Sequence, residues 1–453
     1  MTQRADTSAR VRHHSLSAEQ FAALARGGGG QDAIGQLVAG QRSKHLILLG
    51  KVAELARRGD HPDDALGVAG YQLLAQVQRR DPATAAEVIG YPSVGAWALH
   101  VIRAGAAPAA GTGPADTASA ASAALPGVRP SGLATIAAAA AIRAGLDAEI
   151  EVPMLGAGVL LPSLGTAETV GGTAVVAAKE AEVRSGNLRV RARPGEPGWR
   201  ELRQVTVGPL SVLIDDLDPF RMPTPDGSPT GRLTPSQVTQ FRDTLRAAWP
   251  VLSSASAAEI AGIVRVIVPY RPPESGNFNI SVSSPQVFGT VAMSRQPDKY
   301  TCAETLVHET QHLKLCALLD LVTLTRPDDG QRYYAPWRPD PRPISGLIQG
   351  AYAFLGVSGF WREQRQAAPE PGVRQRAHAE FARWRDGAAT AAATLLSSGQ
   401  LTNAGETFVE TMAEVLDGWR REPVPGDALA VARRESDRHR ARWQANNGQA
   451  DSG

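Results

Sequence analysis

Several features that define common protein classes are scarce in this chain of 453 residues. It has two cysteines, 5% aromatic residues and a formal net charge of only +2. Cys302 and Cys316 fall in one predicted helix, about 21 Å apart along its axis, so they cannot form an intramolecular disulfide. No run reaches the roughly 18 apolar residues of a membrane span. The near-neutral charge also argues against a broad basic face for nucleic acid.

These absences favour a cytoplasmic protein. Two cysteines that cannot pair with each other fit a reducing compartment. The first residues, MTQRADTSARVRHHSLS, lack the apolar core of a secretory signal. The length exceeds that of one typical domain, and 43% hydrophobic residues supply enough core for two or three units. We expect no membrane or nucleic-acid partner, and the sequence leaves the oligomeric state open.

Hydrophobic periodicity divides the chain into five regions and predicts an α+β fold. Residues 1–104 predict an N-terminal helical region, and residues 105–131, rich in Ala, Gly, Pro and Ser, predict a linker. Residues 132–232 are rich in beta-branched runs and predict strands. Residues 233–435 predict a metal-binding catalytic domain, and residues 436–453 predict a frayed polar tail. The predicted fold is predominantly helical with a small antiparallel sheet region.

The strongest chemical signal is the run HETQH at positions 308–312. Two histidines at i and i+4 share one helix face, so His308 and His312 can direct ring nitrogens to one metal ion. Glu309 then lies beside the open coordination positions. Two satisfied polar histidines on a packed helix, with no metal, would give the same short pattern.

The residues around the motif predict a helix from about 302 to 322. Thr301 and Glu304 match a capping box at its start. A zinc protease fits this helix poorly, because Lys314 occupies a place that is usually apolar in that class. A metzincin would need glycine and histidine where the chain has Leu315 and Leu318. A zinc enzyme that takes a glutamate from a second helix stays open.

The sequence after the motif carries a resemblance to a known family. Between His308 and Arg362 the chain contains HETQHLKL, ALLDLV, YYAPWR, DPRP and GAYAFLGVSGFWR. In these runs it resembles the HExxH peptide-modification proteins of bacterial ribosomal-peptide pathways, which are grouped as 2-oxoglutarate-dependent HExxH peptide beta-hydroxylases. The likeness is strong over about an eighth of the chain and weaker over residues 401–419.

The resemblance implies Fe(II) at His308 and His312, with 2-oxoglutarate and O₂ as cosubstrates. The substrate would be a ribosomally synthesised precursor peptide that is hydroxylated at a beta carbon. Such iron sites commonly combine two histidines with a carboxylate and leave positions open for the oxo acid and O₂. Glu309 is then a third ligand, a support for a ligand or a proton-handling group. In the alternative, a Zn(II) peptidase or amidase, Glu309 is the general base for a metal-bound water.

The oxo acid needs a cation for its distal carboxylate, and the sequence offers three. Arg338 and Arg342 flank a rigid Pro-Asp-Pro segment and can form bidentate pairs. Surface ion pairs with nearby aspartates are an equal alternative for these arginines. Lys314 is the other candidate, although it points about 200° away from His312 on a helix. The third metal ligand stays open among Glu309, Asp320, Glu363, His378, Glu380, Glu406 and Glu410.

Overall fold

Helices form most of this protein, which we describe from a computed structural model covering residues 14–106, 128–170, 173–222, 230–271 and 280–447. Three small sheets accompany the helices, so the predicted α+β class is confirmed. Within these ranges, no helix combines the length and the apolar character needed to cross a bilayer.

Six helices precede the first strand in the described part of the chain. They are α1 (Ala18–Ala25), α2 (Gly30–Arg58), α3 (Asp64–Arg80), α4 (Pro82–Ile89), α5 (Pro92–Ala106) and α6 (Leu133–Arg143). Most of the predicted linker, residues 107–127, lies outside the described residues. Helices α3 and α6 pack very closely, because a Cβ at Gly70 would lie 2.4 Å from the Ala134 nitrogen. Glycine at this position allows the two backbones to meet.

The strands form two antiparallel sheets and one mixed sheet. Strands β1 (Glu149–Val152), β4 (Ala174–Ala177), β5 (Glu182–Ser185) and β6 (Leu188–Arg191) form the first sheet, and β2 (Gly158–Leu161), β3 (Gly165–Glu168) and β7 (Trp199–Glu201) form the second. The mixed sheet contains β8 (Arg203–Val207), β9 (Leu210–Ile214), β10 (Val266–Pro269), β11 (Ser281–Val282) and β12 (Thr290–Met293). Its order is β11-β12-β10-β9-β8, with β9, β10 and β12 parallel and both edge strands antiparallel.

The mixed sheet separates two hydrophobic cores. Ile267 of β10 belongs to one core, and its neighbours Val266 and Val268 belong to the other, as expected for alternating side chains. The predicted boundary at residue 232 does not follow this packing, because β8 and β9 pair into a sheet completed by later strands. Helix α2 also contributes to both cores, through Leu37 to the first and Leu49 to the second.

Seven helices complete the described chain. They are α7 (Pro235–Ala248), α8 (Ser254–Ile263), α9 (Lys299–Leu319), α10 (Ile344–Ala367), α11 (Pro371–Ser397), α12 (Asn403–Arg420) and α13 (Gly426–Asn447). The predicted frayed tail is wrong as far as Asn447. Helix α13 continues to that residue, and its Trp443 packs edge-on against Tyr334 at 5.2 Å.

Helix α9 carries the HETQH run, and its ends differ from the predicted ones. It begins at Lys299, because the Asp298 side chain accepts hydrogen bonds from the Tyr300 and Thr301 backbone N–H groups. The predicted capping box at Thr301 is therefore wrong, and the Thr301 hydroxyl donates to Asp298 instead. The helix ends at Leu319, one turn earlier than predicted.

Candidate metal centre

His308 and His312 direct their rings toward each other from successive turns of α9. Their Nε2 atoms are 3.1 Å apart, and their ring centroids are 4.7 Å apart. If each nitrogen bound one ion at about 2.0–2.1 Å, this separation would give a nitrogen–metal–nitrogen angle of roughly 100°. That angle lies between the octahedral and tetrahedral values. Both residues are only partly buried as a whole, and the separation of their Nε2 atoms fits one shared metal ion.

A side chain of the neighbouring helix α10 orients the His312 ring. The Gln349 Oε1 atom lies 3.1 Å from His312 Nδ1, and the Gln349 Nε2 group donates to the Cys316 Sγ atom at 3.6 Å. When Nδ1–H donates to Gln349, Nε2 is the unprotonated nitrogen. This tautomer directs a lone pair toward His308, as metal-binding histidines require.

The environment of His308 favours a neutral ring. Burial and the neighbouring His312 lower the pKa of His308 to about 4, and the charge of Glu309 opposes this shift. Its ring also meets the edge of Phe354 at a centroid distance of 5.1 Å. A neutral imidazole is the form that binds metals, so His308 needs no further deprotonation near neutral pH.

Glu309 lies almost wholly inside the protein, with 2% of its surface exposed. The hydroxyl of Ser283, which directly follows the edge strand β11, donates to Glu309 Oε2 at 2.7 Å. The carboxylate is therefore held in one orientation next to the histidine pair. It is also the acidic group whose charge acts on His308.

Three partly exposed aromatic residues form a cluster that reaches His308 through Phe354, and we call them the aromatic wall: Phe354, Trp337 and Trp384. Trp337 stacks on Phe354 at 4.9 Å, and Trp384 contacts Phe354 at 4.3 Å. The position of Trp337 depends on Gly350, because a Cβ there would lie 2.3 Å from the indole ring. The wall gives the histidine pair an apolar border that suits an organic substrate.

The predicted oxo acid anchors have partners of their own. Arg338 Nε and an Arg342 terminal nitrogen both bind Asp340, at 2.9 and 3.2 Å. This is the surface pairing that the sequence left as the alternative. Arg342 nevertheless has a buried Nε without a hydrogen-bond partner among the described residues.

Lys314 requires a correction, because its ammonium group is engaged elsewhere. The side chain is completely buried, and Nζ donates to Glu259 and to the Gly27 carbonyl, both at 2.8 Å. Burial lowers the pKa of Lys314, and Glu259 opposes that shift. Lys314 thus joins α9 to α8 and to the loop after α1, and it has no donor directed to an oxo acid.

The structure does not bring a third ligand to the pair. Among the described residues, no three or more His, Cys, Asp or Glu side chains form a group that could hold a metal ion. Asp320 binds Gln41 and Lys44 at the end of α9. The remaining downstream candidates do not join the histidines in such a group: Glu363, His378, Glu380, Glu406 and Glu410.

Sequence reasoning missed the residues that support the pair, namely Gln349, Ser283 and Phe354. Gln349 is the single amide in the apolar run LIQGAYAF. A polar side chain in such a run could have indicated a residue that supports a buried site. The chain matches no model of a known protein family, and no curated protein matches it. The likeness to the HExxH hydroxylases therefore depends on the motifs alone.

Proposed function

We propose that this protein is an Fe(II)- and 2-oxoglutarate-dependent oxygenase of the cytoplasm that hydroxylates the beta carbon of a residue in a ribosomally synthesised precursor peptide. The observation that carries the proposal is the 3.1 Å approach of the His308 and His312 Nε2 atoms, with His312 oriented by Gln349. The resemblance over residues 308–362 supplies the cosubstrates and the substrate class.

In this proposal, His308 and His312 hold the metal, and Gln349 keeps His312 in the binding tautomer. Bound Fe(II) would supply the redox chemistry with O₂ that protein side chains lack. Glu309 is the acidic group of the site, fixed by the Ser283 hydroxyl. Two histidines leave the other coordination positions free for an oxo acid that binds through two atoms.

Two features are consistent with a peptide and an oxo acid as ligands, namely the aromatic wall and the side chain of Arg342. The aromatic wall offers half-exposed rings to an apolar side chain or a peptide backbone. Arg342 is the better of the two arginines as an anchor, because its buried Nε still lacks an acceptor in the described residues. A carboxylate would supply one. Arg338 is half-exposed and already bound to Asp340.

One observation favours a second candidate, a zinc-dependent peptidase or amidase. Glu309 is held beside the pair by a residue that follows the edge strand β11. A carboxylate in this place can accept the proton of a metal-bound water. Catalytic zinc sites commonly use three protein ligands and keep one position open, and a third ligand is not found among the described residues.

The two candidates differ in their products. Protein purified without oxygen is mixed with Fe(II), 2-oxoglutarate and the precursor peptide encoded beside its gene, and air is then admitted. The oxygenase predicts a peptide that gains the mass of one oxygen atom and releases succinate in step. Peptide fragments that form without 2-oxoglutarate would support the hydrolase instead.

Variants connect this activity to the metal centre. His308→Ala and His312→Ala should each lose bound metal and peptide turnover. His61→Ala, an exposed histidine outside the pair, should retain both. Full activity in both α9 variants would refute the metal assignment.

A further inference from the structure

Three arginines next to the aromatic wall form a basic surface, and we call them the arginine cluster: Arg383 of α11 and Arg440 and Arg442 of α13. The guanidinium carbon of Arg383 lies 4.3 Å from the centroid of the Trp384 ring, which belongs to the wall. The guanidinium carbon of Arg440 lies 4.8 Å from the centroid of the Tyr334 ring. Arg383 is half-buried, whereas Arg440 and Arg442 are exposed and open to a partner in solution.

One tyrosine–histidine pair connects the three arginines. The Tyr334 hydroxyl lies 3.0 Å from His439 Nδ1. Burial raises the pKa of Tyr334, and the charges of Arg440 and Arg383 oppose this shift. Burial lowers the pKa of His439, and the charges of Arg383 and Arg442 add to that shift. The three guanidinium groups therefore act on the same pair of side chains, which is consistent with one continuous basic surface.

The charge of the arginine cluster is not neutralised within the described part of the chain. No acidic side chain there forms an ion pair with any of its three members. A neighbouring arginine differs, since Arg338 pairs with Asp340 at 2.9 Å. Asp437 is three residues before Arg440 on α13, and among the described residues it forms no ion pair with it. Three positive charges gathered without acidic partners create a potential that attracts an anionic partner.

The arginine cluster continues the aromatic wall away from the metal centre. Phe354 meets the His308 ring at 5.1 Å and the Trp384 ring at 4.3 Å, and Arg383 lies over Trp384. These contacts put Arg383 within roughly four residues of extended chain from His308. A single peptide can therefore lie on the wall and reach the cluster while one of its residues is at the histidine pair.

We propose that the arginine cluster binds an acidic segment of the peptide substrate, close in sequence to the residue that is placed at His308 and His312. This inference rests on the proposed function and adds the charge of the substrate to it. A guanidinium held over an aromatic ring keeps its in-plane N–H groups free, and these match the two oxygens of an Asp or Glu carboxylate. A basic segment would be repelled by the same three charges.

Calorimetric titration of the full-length protein in buffer with EDTA tests this proposal without metal, cosubstrate or turnover. The probes are acetyl-Glu-Asp-Glu-Gly-Leu-Gly-amide and its uncharged counterpart, acetyl-Gln-Asn-Gln-Gly-Leu-Gly-amide. We expect the acidic peptide to bind at least about tenfold more tightly at low ionic strength, because three exposed ion pairs act together. This preference should shrink as salt is added, since salt screens exposed charges.

Arginine variants locate the binding. Arg383→Gln and Arg440→Gln should each weaken binding of the acidic peptide about two- to fivefold, and together about tenfold. Arg246→Gln removes an exposed arginine at the end of α7 and should leave binding unchanged. If Arg383→Gln fails to fold, Arg442→Gln takes its place in the combined variant, because Arg442 is exposed.

The result separates this inference from the proposed function. Because the titration contains no metal, preferential binding of the acidic peptide would uphold the inference even if no hydroxylated product forms. Equal binding of the two peptides, no binding of either, or unchanged binding by the combined variant would overturn it. Tighter binding of a short single-stranded oligothymidylate than of the acidic peptide would also overturn it, and would identify a nucleic acid as the partner.

Discussion

The hydrogen bond between Gln349 and His312 gives the sharpest test of the metal centre. Gln349→Leu removes the Oε1 atom that lies 3.1 Å from His312 Nδ1 and accepts its hydrogen bond. The ring can then rotate, or take the other tautomer and lose its lone pair at Nε2. Loss of such a supporting partner typically weakens metal binding about 10- to 100-fold, or about 1.4–2.7 kcal/mol. The bond is neutral and half-buried, so we expect the lower end of this range.

The assay is an anaerobic Co(II) titration followed by visible absorption, with Gln349→Glu as the matched control. Glutamate keeps an acceptor oxygen at the same distance along the side chain. The Co(II) affinity of the Gln349→Glu variant should therefore equal or exceed that of the unaltered protein. Thermal unfolding checks that the fold survives, since one lost hydrogen bond costs only about 0.5–1.5 kcal/mol. Equal Co(II) affinity in the leucine variant would refute the argument that Gln349 orients a metal ligand.

Three further predictions concern stability. Burial and its neighbour Asp215 raise the pKa of Asp218 to about 7. The contribution of Asp218 to the free energy of unfolding is therefore complete below about pH 4 and is lost as the pH rises to 7. Asp218→Asn should make the free energy of unfolding in urea less dependent on pH in this range, and an unchanged pH dependence would contradict the prediction. Lys314→Met should lower the free energy of unfolding by about 3–5 kcal/mol because Glu259 loses its ion-pair partner, and it should leave metal affinity unchanged. Adding Glu259→Gln to this variant should restore much of the lost stability. Gly350→Ala should lower the melting temperature, because the added Cβ would meet the Trp337 ring. Gly50→Ala, in open space within α2, should raise the free energy of unfolding by up to about 1 kcal/mol. Stabilisation by both substitutions would show that Gly350 and Trp337 do not approach closely.

The sequence was most informative where a short-range pattern sets the geometry. The spacing of His308 and His312 predicted that their rings share a helix face, and their Nε2 atoms do approach to 3.1 Å. The beta-branched runs also predicted strands within residues 132–232, and β1 to β9 lie there. Both predictions follow from the direction of successive side chains, which repeats every 3.6 residues in a helix and every 2 residues in a strand. These repeats depend only on neighbours in the chain.

Long-range contacts decided the features that the sequence did not predict. Lys314 carries a charge that usually lies at a surface, and its burial is explained by its bonds to Glu259 and to the Gly27 carbonyl, both distant in the chain. Residues 436–447 read as a solvated tail because few are apolar, yet Trp443 secures them against Tyr334. At the start of α9 the sequence predicted a cap at Thr301, but Asp298 is the cap because its side chain satisfies two backbone N–H groups at once.

The source of the oxygen atom in the product tests the central claim most directly. The precursor peptide is incubated with Fe(II) and 2-oxoglutarate, once under heavy O₂ in ordinary water and once under ordinary O₂ in heavy-oxygen water, and peptide masses are measured. An oxygenase centred on His308 and His312 predicts that the intact peptide gains the heavy atom from O₂, and that neither alanine variant forms this product. Cleaved peptide that takes the heavy atom from water would contradict the account and establish a hydrolase.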